Sequence, residues 1–354
     1  MFGLFKSTSK LGIDIGTASI KIVELDKKNG RFVLQNYGLF ELKGTSAAGT
    51  SPMQNSILKL PDGEIIWGIK EVIKKGNIKS KNVVASLPSF STFSTVIEMP
   101  YLSKNDLAKA IPFEARKYVP IPLAEVDMDW SIIGIKKDAN LATKPTVEVF
   151  LAAVPKEETN RYKNIMQGAE LSLKALELEN SALIRALLGN DLSPTAIINI
   201  GGRSTSILIV DKGYEKISHN YEIGGFEITK SISKSLNVSL EKAEELKKKL
   251  GFDKSDENII NQAMVSLVDM MAFETRKTIA NYEETKKQKI LKVILVGGLI
   301  NMPNFINYFQ ERLGRGVTLG NPAARIVFPP ALNPIAQELA STFAVATGLA
   351  MREL

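Results

Sequence analysis

The chain contains no cysteine and a single histidine, His219. Without thiols there is no disulfide, no thiolate nucleophile and no zinc site built on cysteine, and the reducing cytoplasm is the expected compartment. One histidine leaves a His-based triad conceivable but excludes a multi-histidine metal site, and His219 reads more simply as a polar residue of a strand or turn. No apolar run reaches the ~18 residues of a membrane-spanning helix, so an integral membrane protein is not expected. The opening Met1-Phe2-Gly3-Leu4-Phe5-Lys6 is too short for the apolar region of a secretory signal, about 7 to 15 residues. Phe2, Leu4 and Phe5 could touch a membrane or a partner, although a disordered terminus is the plainer reading. Strong charge of one sign is missing too. The balance of 45 Lys and Arg against 38 Asp and Glu gives +7 at pH 7, spread along the chain, so no nucleic-acid partner is expected. The densest lysines, Lys242 with Lys247 to Lys249 and Lys286, Lys287 and Lys289, are interleaved with glutamates as on solvated helix faces.

What is present is a folded composition, 44% hydrophobic and 23% charged, over 354 residues. Single cores stop growing at about 250 to 300 residues, so two linked lobes are expected. Leu11 to Ile15 and Ile20 to Leu25 are β-rich runs joined by Gly16-Thr17-Ala18-Ser19, a glycine-turned hairpin, with Arg31 to Tyr37 as a third strand. Lys43 to Ser56 reads as a loop, and Ile65 to Lys75 has helical spacing. Asn82 to Leu87 and Phe93 to Met99 are strands. Ser103 with Asp106 forms a capping box for a helix that Pro112 is expected to kink or restart. Strands near Val126 to Ile135 and Thr146 to Val154 complete a small separate unit.

The helix from Lys156 to Glu170, the strand from Leu171 to Glu177 and the helical run from Ser181 to Leu188 lead to a recurrence of the opening pattern. Ala196 to Ile200, Gly201-Gly202-Arg203-Ser204 and Thr205 to Val210 repeat strand, glycine turn and strand, which an internal duplication explains. Leu240, Ala243, Leu246 and Leu250 form a helix stripe between a Ser239 cap and a Gly251 stop. A longer helix follows, burying Ile260, Met264, Leu267, Val268 and Met271 and exposing Arg276 and Lys277. Lys292 to Val296 is a buried strand ending at Gly297-Gly298, and Phe343 to Leu349 is a closing helix of small residues. The whole reads as α/β with two similar halves.

A phosphate chain is held best by backbone N–H groups in turns without side chains, because glycine lets the backbone approach closely. Gly16 and Gly201-Gly202 qualify, and both lie between strands, unlike the Rossmann and Walker loops that open a helix. Asp14, beside the first turn, could orient a magnesium-bound water. Thr17 and Ser19 add hydroxyl donors, and Lys21 adds a charge able to reach a phosphate. Each of these alone is also ordinary turn chemistry. A third pair, Gly297-Gly298 in Leu295-Val296-Gly297-Gly298-Leu299-Ile300-Asn301-Met302-Pro303, would let adenine and ribose pack on bare backbone, or is a simple strand-to-helix turn.

In order and spacing these motifs resemble those of the actin-like ATPase superfamily. Asp14-Ile15-Gly16-Thr17 resembles its first phosphate motif, Asn199-Ile200-Gly201-Gly202 its second, and Val296-Gly297-Gly298 with Met302-Pro303 its adenosine motif. Glu222-Ile223-Gly224-Gly225-Phe226-Glu227-Ile228-Thr229 followed by Ala243-Glu244-Glu245-Leu246-Lys247 resembles a segment shared by the FtsA and PilM families. Phe113 to Pro122 and Ala152-Ala153-Val154-Pro155-Lys156 are more similar to PilM than to FtsA, and the end at Met351-Arg352-Glu353-Leu354 lacks the terminal membrane helix of FtsA.

The resemblance implies a duplicated actin-like, ribonuclease H-like fold. Its first lobe (1A) would comprise residues 1–81 and 156–192, an inserted 1C subdomain residues 82–155, and the second lobe (2A/2B) residues 193–354. It implies ATP and magnesium in the cleft, held by Gly16, Thr17, Ala18, Ser19, Lys21, Asn199, Gly201, Gly202, Ser204, Gly297, Gly298 and Met302. Glu244 and Lys247 would face ribose and adenine, and Asp14 would hold magnesium through water. Glu179 or Asn180 would take the place of the residue that positions attacking water, with Glu179 and Asp14 as catalytic candidates. Asn199 stands where an aspartate is usual, so turnover is expected to be weak. The implied partner is the cytoplasmic N-terminal peptide of PilN, bound in a groove between 1A and 1C, within an inner-membrane pilus complex. Self-association is left open, and the location would be peripheral to the inner face of the cell membrane. An FtsA-like filament protein, a sugar or acetate kinase of the same fold and a scaffold that binds no nucleotide are the rival readings.

Overall fold

A computed structural model of the chain describes residues 9–42, 61–136, 145–252 and 259–353. The terminal Phe2, Leu4 and Phe5 and the expected loop from Lys43 to Ser56 lie outside them. The chain opens with β1 (Lys10–Ile15), β2 (Ser19–Lys28) and β3 (Arg31–Glu41), an antiparallel meander. Its second turn sets Asn29 and Gly30 at φ 50° and 77°, the left-handed pair that matches strand twist in tight hairpins. Helix α1 (Asp62–Lys75) and strand β4 (Asn82–Leu87) follow. Next come β5 (Phe93–Pro100), α2 (Lys104–Ala115), β6 (Val126–Lys136) and β7 (Thr146–Pro155), then α3 (Lys156–Gly168), β8 (Ser172–Leu178) and α4 (Glu179–Leu187). The second half has β9 (Thr195–Ile200), β10 (Thr205–Asp211), β11 (Tyr214–Tyr221), α5 (Gly225–Leu236), α6 (Leu240–Leu250), α7 (Ile259–Lys286), β12 (Lys292–Val296) and α8 (Phe305–Leu313). It ends with β13 (Thr318–Leu319), β14 (Ile326–Val327), α9 (Ala336–Thr342) and α10 (Ala344–Ala350).

Two sheets share one plan. The first runs β14-β3-β2-β1-β4-β8 and the second β11-β10-β9-β12-β13. In each, an antiparallel meander of three strands is followed by a parallel fourth, β4 on β1 and β12 on β9. Nearly every residue of β1, β9 and β10 is buried, as expected when helices cover both faces of a sheet. The duplication suggested by the glycine turns therefore extends to whole sheets. One core joins the first sheet to α1 and α3, and another joins the second sheet to α5, α7 and α8.

The third sheet, β5-β7-β6, has its own core with α2, including Ile97, Leu107, Ile111, Val149 and Leu151. β4 is hydrogen-bonded to β1 and β8 in the first sheet, so the small unit starts at β5 and not at residue 82. The chain end also departs from a simple division of halves, since β14 pairs with β3. Pro112 does not interrupt α2, which continues to Ala115; what it removes is one N–H, the partner of the Ala108 carbonyl a turn earlier. Ser103 caps α2, accepting from the Asp106 N–H at 3.2 Å. Ser239 and Gly251 bound α6 as expected, but Leu240 and Leu250 are exposed, and Ala243 and Lys247 form the buried face. No helix among the described residues is long and apolar enough to cross a membrane.

Candidate functional site

The two glycine turns have the same geometry. The Gly16 N–H donates to the Ser19 carbonyl at 3.0 Å, and the Gly201 N–H to the Ser204 carbonyl at 2.9 Å. Asp14 sits opposite Lys21 in the first hairpin, and Asn199 opposite Ser206 in the second. The turns also meet, because a Cβ at Gly202 would overlap the Ala18 side chain. Glycine at 202 thus lets two backbone turns, rich in N–H groups and held by separate sheets, close on one another. Gly16, Thr17, Ala18, Ser19, Gly201, Gly202 and Ser204 are all at least partly exposed there.

Asp14 is buried and oriented from two sides. Ser86, near the end of β4, donates to its Oδ1 at 2.9 Å, and the Lys21 ammonium lies 3.5 Å from its Oδ2. Glu179 opens α4 close by. Burial and the Asp14 charge push its carboxyl up to about 7, while hydrogen bonds from Ser89 and the charge of Lys21 act the other way. A carboxyl that takes up a proton near neutrality can accept one from water in a reaction.

The N-terminus of α5 lies on the second turn, with the N–H groups of Gly225 and Phe226 donating to the carbonyls of Gly201 and Gly202 at 3.0 and 2.7 Å. Lys247 reaches back from α6 to the Gly225 carbonyl at 3.0 Å and to the Thr229 hydroxyl at 2.8 Å, and pairs with Glu244 at 2.6 Å. Burial lowers the pKa of Lys247 against the pull of Glu244. Its ammonium is therefore occupied within the protein, and Glu244 is the more accessible of the two. Gly297 has φ 106°, and a Cβ there would overlap the Ile200 carbonyl. Gly298 is exposed with open space around it, as a surface for a flat ring requires. Met302, by contrast, is buried in the second core, so the structure sets it behind the cleft surface.

The structure thus gathers Asp14, Lys21, Glu179 and both turns, and sets Gly298 and Glu244 nearby through α5 and the second turn. Among the described residues there is no cluster of three or more acidic or histidine side chains fit to hold a metal alone. The donor set is one carboxylate beside backbone turns, which suits an ion bound through water and phosphate oxygens. Residues not singled out from the sequence are Ser86, which orients Asp14, and Thr229, which holds Lys247. Arg203 is a third, half-buried and 4.5 Å over the Phe226 ring.

The profile of the family described as type IV pilus assembly protein PilM matches residues 12–354. The cell division protein FtsA of Bacillus subtilis (strain 168) is 30% identical over 147 residues, covering 36% of this chain and 33% of that protein. FtsA of Enterococcus faecalis (strain ATCC 700802 / V583) is 22% identical over 359 residues, 90% of this chain and 79% of that protein. Among solved structures, the chain is similar to one of a PilM-PilN type IV pilus biogenesis complex, with a TM-score of 0.80 and 22% identity over 97% of this chain and 98% of that one. The fold is the two-lobed actin-like fold.

Proposed function

The chain belongs to the family of type IV pilus assembly proteins PilM, and on that premise we propose that it is an ATP-binding adaptor of the pilus assembly complex at the inner face of the cell membrane. The observation that carries the nucleotide half is the pair of matched turns closing on each other at Ala18 and Gly202. Their N–H groups, with Thr17, Ser19 and Ser204, would hold the phosphate chain, and Lys21 would neutralise part of it. Asp14, fixed by Ser86, would hold magnesium through water. Gly297, Gly298 and Glu244 would flank adenine and ribose. When bound, magnesium-ATP supplies a polyanion and a bridging charge that both lobes can grip. Glu179 would accept a proton from water, but Asn199 leaves the second turn without the charge that would help order magnesium, so turnover would be slow.

The partner half rests on the family and on the likeness to a PilM-PilN complex. The N-terminal cytoplasmic peptide of PilN would lie at the seam between the first lobe and the small sheet. There Thr159 on α3 donates to Asp127 on β6 at 2.6 Å, and Lys156 to the Ala124 carbonyl at 2.7 Å. Calorimetry with a synthetic PilN N-terminal peptide, with and without magnesium-ATP, tests both halves. Specific peptide binding whose affinity shifts by about fivefold or more with nucleotide is expected, the lower range of ordinary allosteric coupling. Intact ATP binding with no peptide binding in either state would instead favour an FtsA-like role.

A further inference from the structure

A chain of buried polar groups leaves the phosphate site and ends in the small sheet. Ser89, just after β4, is hydrogen-bonded to Glu179, and its hydroxyl also points at the Asn180 Oδ1 at 2.9 Å. Asn180 donates from Nδ2 to the Glu215 Oε2 on β11 at 2.9 Å and to the Ser218 hydroxyl at 3.1 Å. The other Glu215 oxygen accepts from the Ser94 hydroxyl of β5. Ser89, Asn180 and Glu215 are each less than a tenth exposed. Residues from three separate stretches of the chain thus tie the first sheet, the second sheet and the small sheet through one path. Beside it, Lys216 of β11 pairs with Glu148 of β7 at 3.2 Å.

The path has a branch with two settings. A serine hydroxyl carries one proton, so Ser89 donates fully either to the Glu179 carboxylate or to the Asn180 carbonyl oxygen. Serving Glu179 leaves the Asn180 oxygen short of a donor in a buried place, which is unfavourable unless Asn180 moves. Asn180 cannot move without loosening Glu215, and Glu215 is the residue that grips Ser94.

We propose that Ser89, Asn180, Glu215 and Ser94 form a relay by which occupancy of the phosphate site alters how firmly the small sheet is held against the second sheet. Asn180 and Ser94 act as positioning residues in it. The inference rests on the nucleotide reading above and deepens it, giving the physical path by which nucleotide and peptide occupancy communicate. Ser86, the donor to Asp14, stands three residues before Ser89 at the end of β4, so a polyanion that shifts Asp14 reaches Ser89 through the same short segment. The small sheet feels the result through β5.

The test is amide hydrogen exchange of β5 and β11 in the full chain with and without magnesium-ATP, on the native protein and on the Ser94→Ala and Ser94→Thr variants, with ATP binding measured in parallel by calorimetry. Ser94 lies remote from the turns and partly exposed, so both variants should fold. In the native protein nucleotide should change β5 exchange by about fivefold or more. Ser94→Ala should remove that response at unchanged ATP affinity, and Ser94→Thr, which keeps the hydroxyl, should restore it. A β5 segment indifferent to nucleotide, or a full response in Ser94→Ala, overturns the relay while leaving the binding isotherm intact. Absence of ATP binding overturns the nucleotide reading itself and the relay with it.

Discussion

At Glu179 the chain keeps a half-buried carboxyl beside the charge of Asp14. Its ordinary value near 4.5 applies to the unfolded chain, and the fold raises it to about 7. A carboxyl raised on folding adds stability at acid pH that is fully present below about 4.5 and is lost as pH climbs through 7. Glu179→Gln removes this dependence. The variant should match the native protein at pH 4 and exceed its stability at pH 8 by up to about 3 kcal/mol, the equivalent of the shift. Urea unfolding at both pH values reads the difference, and a constant offset across the range would rule out the account. Asp14 and Lys21 could be picked from the sequence because each adjoins a glycine turn, whereas Glu179 or Asn180 came only with the family resemblance. Ser86, Ser89 and Glu215 could not be picked. Their roles depend on β4, α4 and β11 being brought side by side by connections of tens of residues, which no local pattern records.

At the scale of elements, the third Gly-Gly pair separates two uses of the same residue. Gly297 has a backbone open to few L residues and no room for a Cβ. Gly297→Ala should therefore lower stability by about 3 kcal/mol or more, because strained φ and overlap with the fixed Ile200 carbonyl act together. Gly298 has neither constraint, so Gly298→Ala should stay within about 0.5 kcal/mol and act on ATP affinity instead. Chemical unfolding of the two variants beside ATP titration distinguishes the roles; equal destabilisation would refute them. The elements themselves were largely legible, since strands with β-branched runs and capped helices carry local signals. The misreadings have physical causes. Pro112 costs α2 one N–H, to the Ala108 carbonyl, which the helix tolerates without a break, and the apolar stripe of α6 yields to Lys247, which is drawn inward by Glu244, Thr229 and the Gly225 carbonyl.

For the whole molecule, the duplicated halves were readable from the repeated strand, turn and strand, but the piece that binds them together was not. Helix α10 follows the second lobe in sequence, yet Ala346 and Ala350 pack on Val23 and Leu25 of β2. On its other side, Ala344, Val345 and Leu349 share a core with Ile197, Leu208 and Ile294 of the second sheet. The small residues that looked like an ordinary closing helix are small because two backbones approach it. A Cβ at Gly12 on β1 would overlap the Ala346 carbonyl, and one at Gly348 would overlap the Ala182 carbonyl on α4. A helix wedged between both sheets makes their stabilities common property, so damage on one side should be felt on the other. Gly12→Ala should lower the urea midpoint by an amount equivalent to about 3 kcal/mol while keeping a single transition of unchanged slope. Splitting into two transitions, with the second sheet unfolding as in the native protein, would show instead that α10 belongs to the first lobe alone.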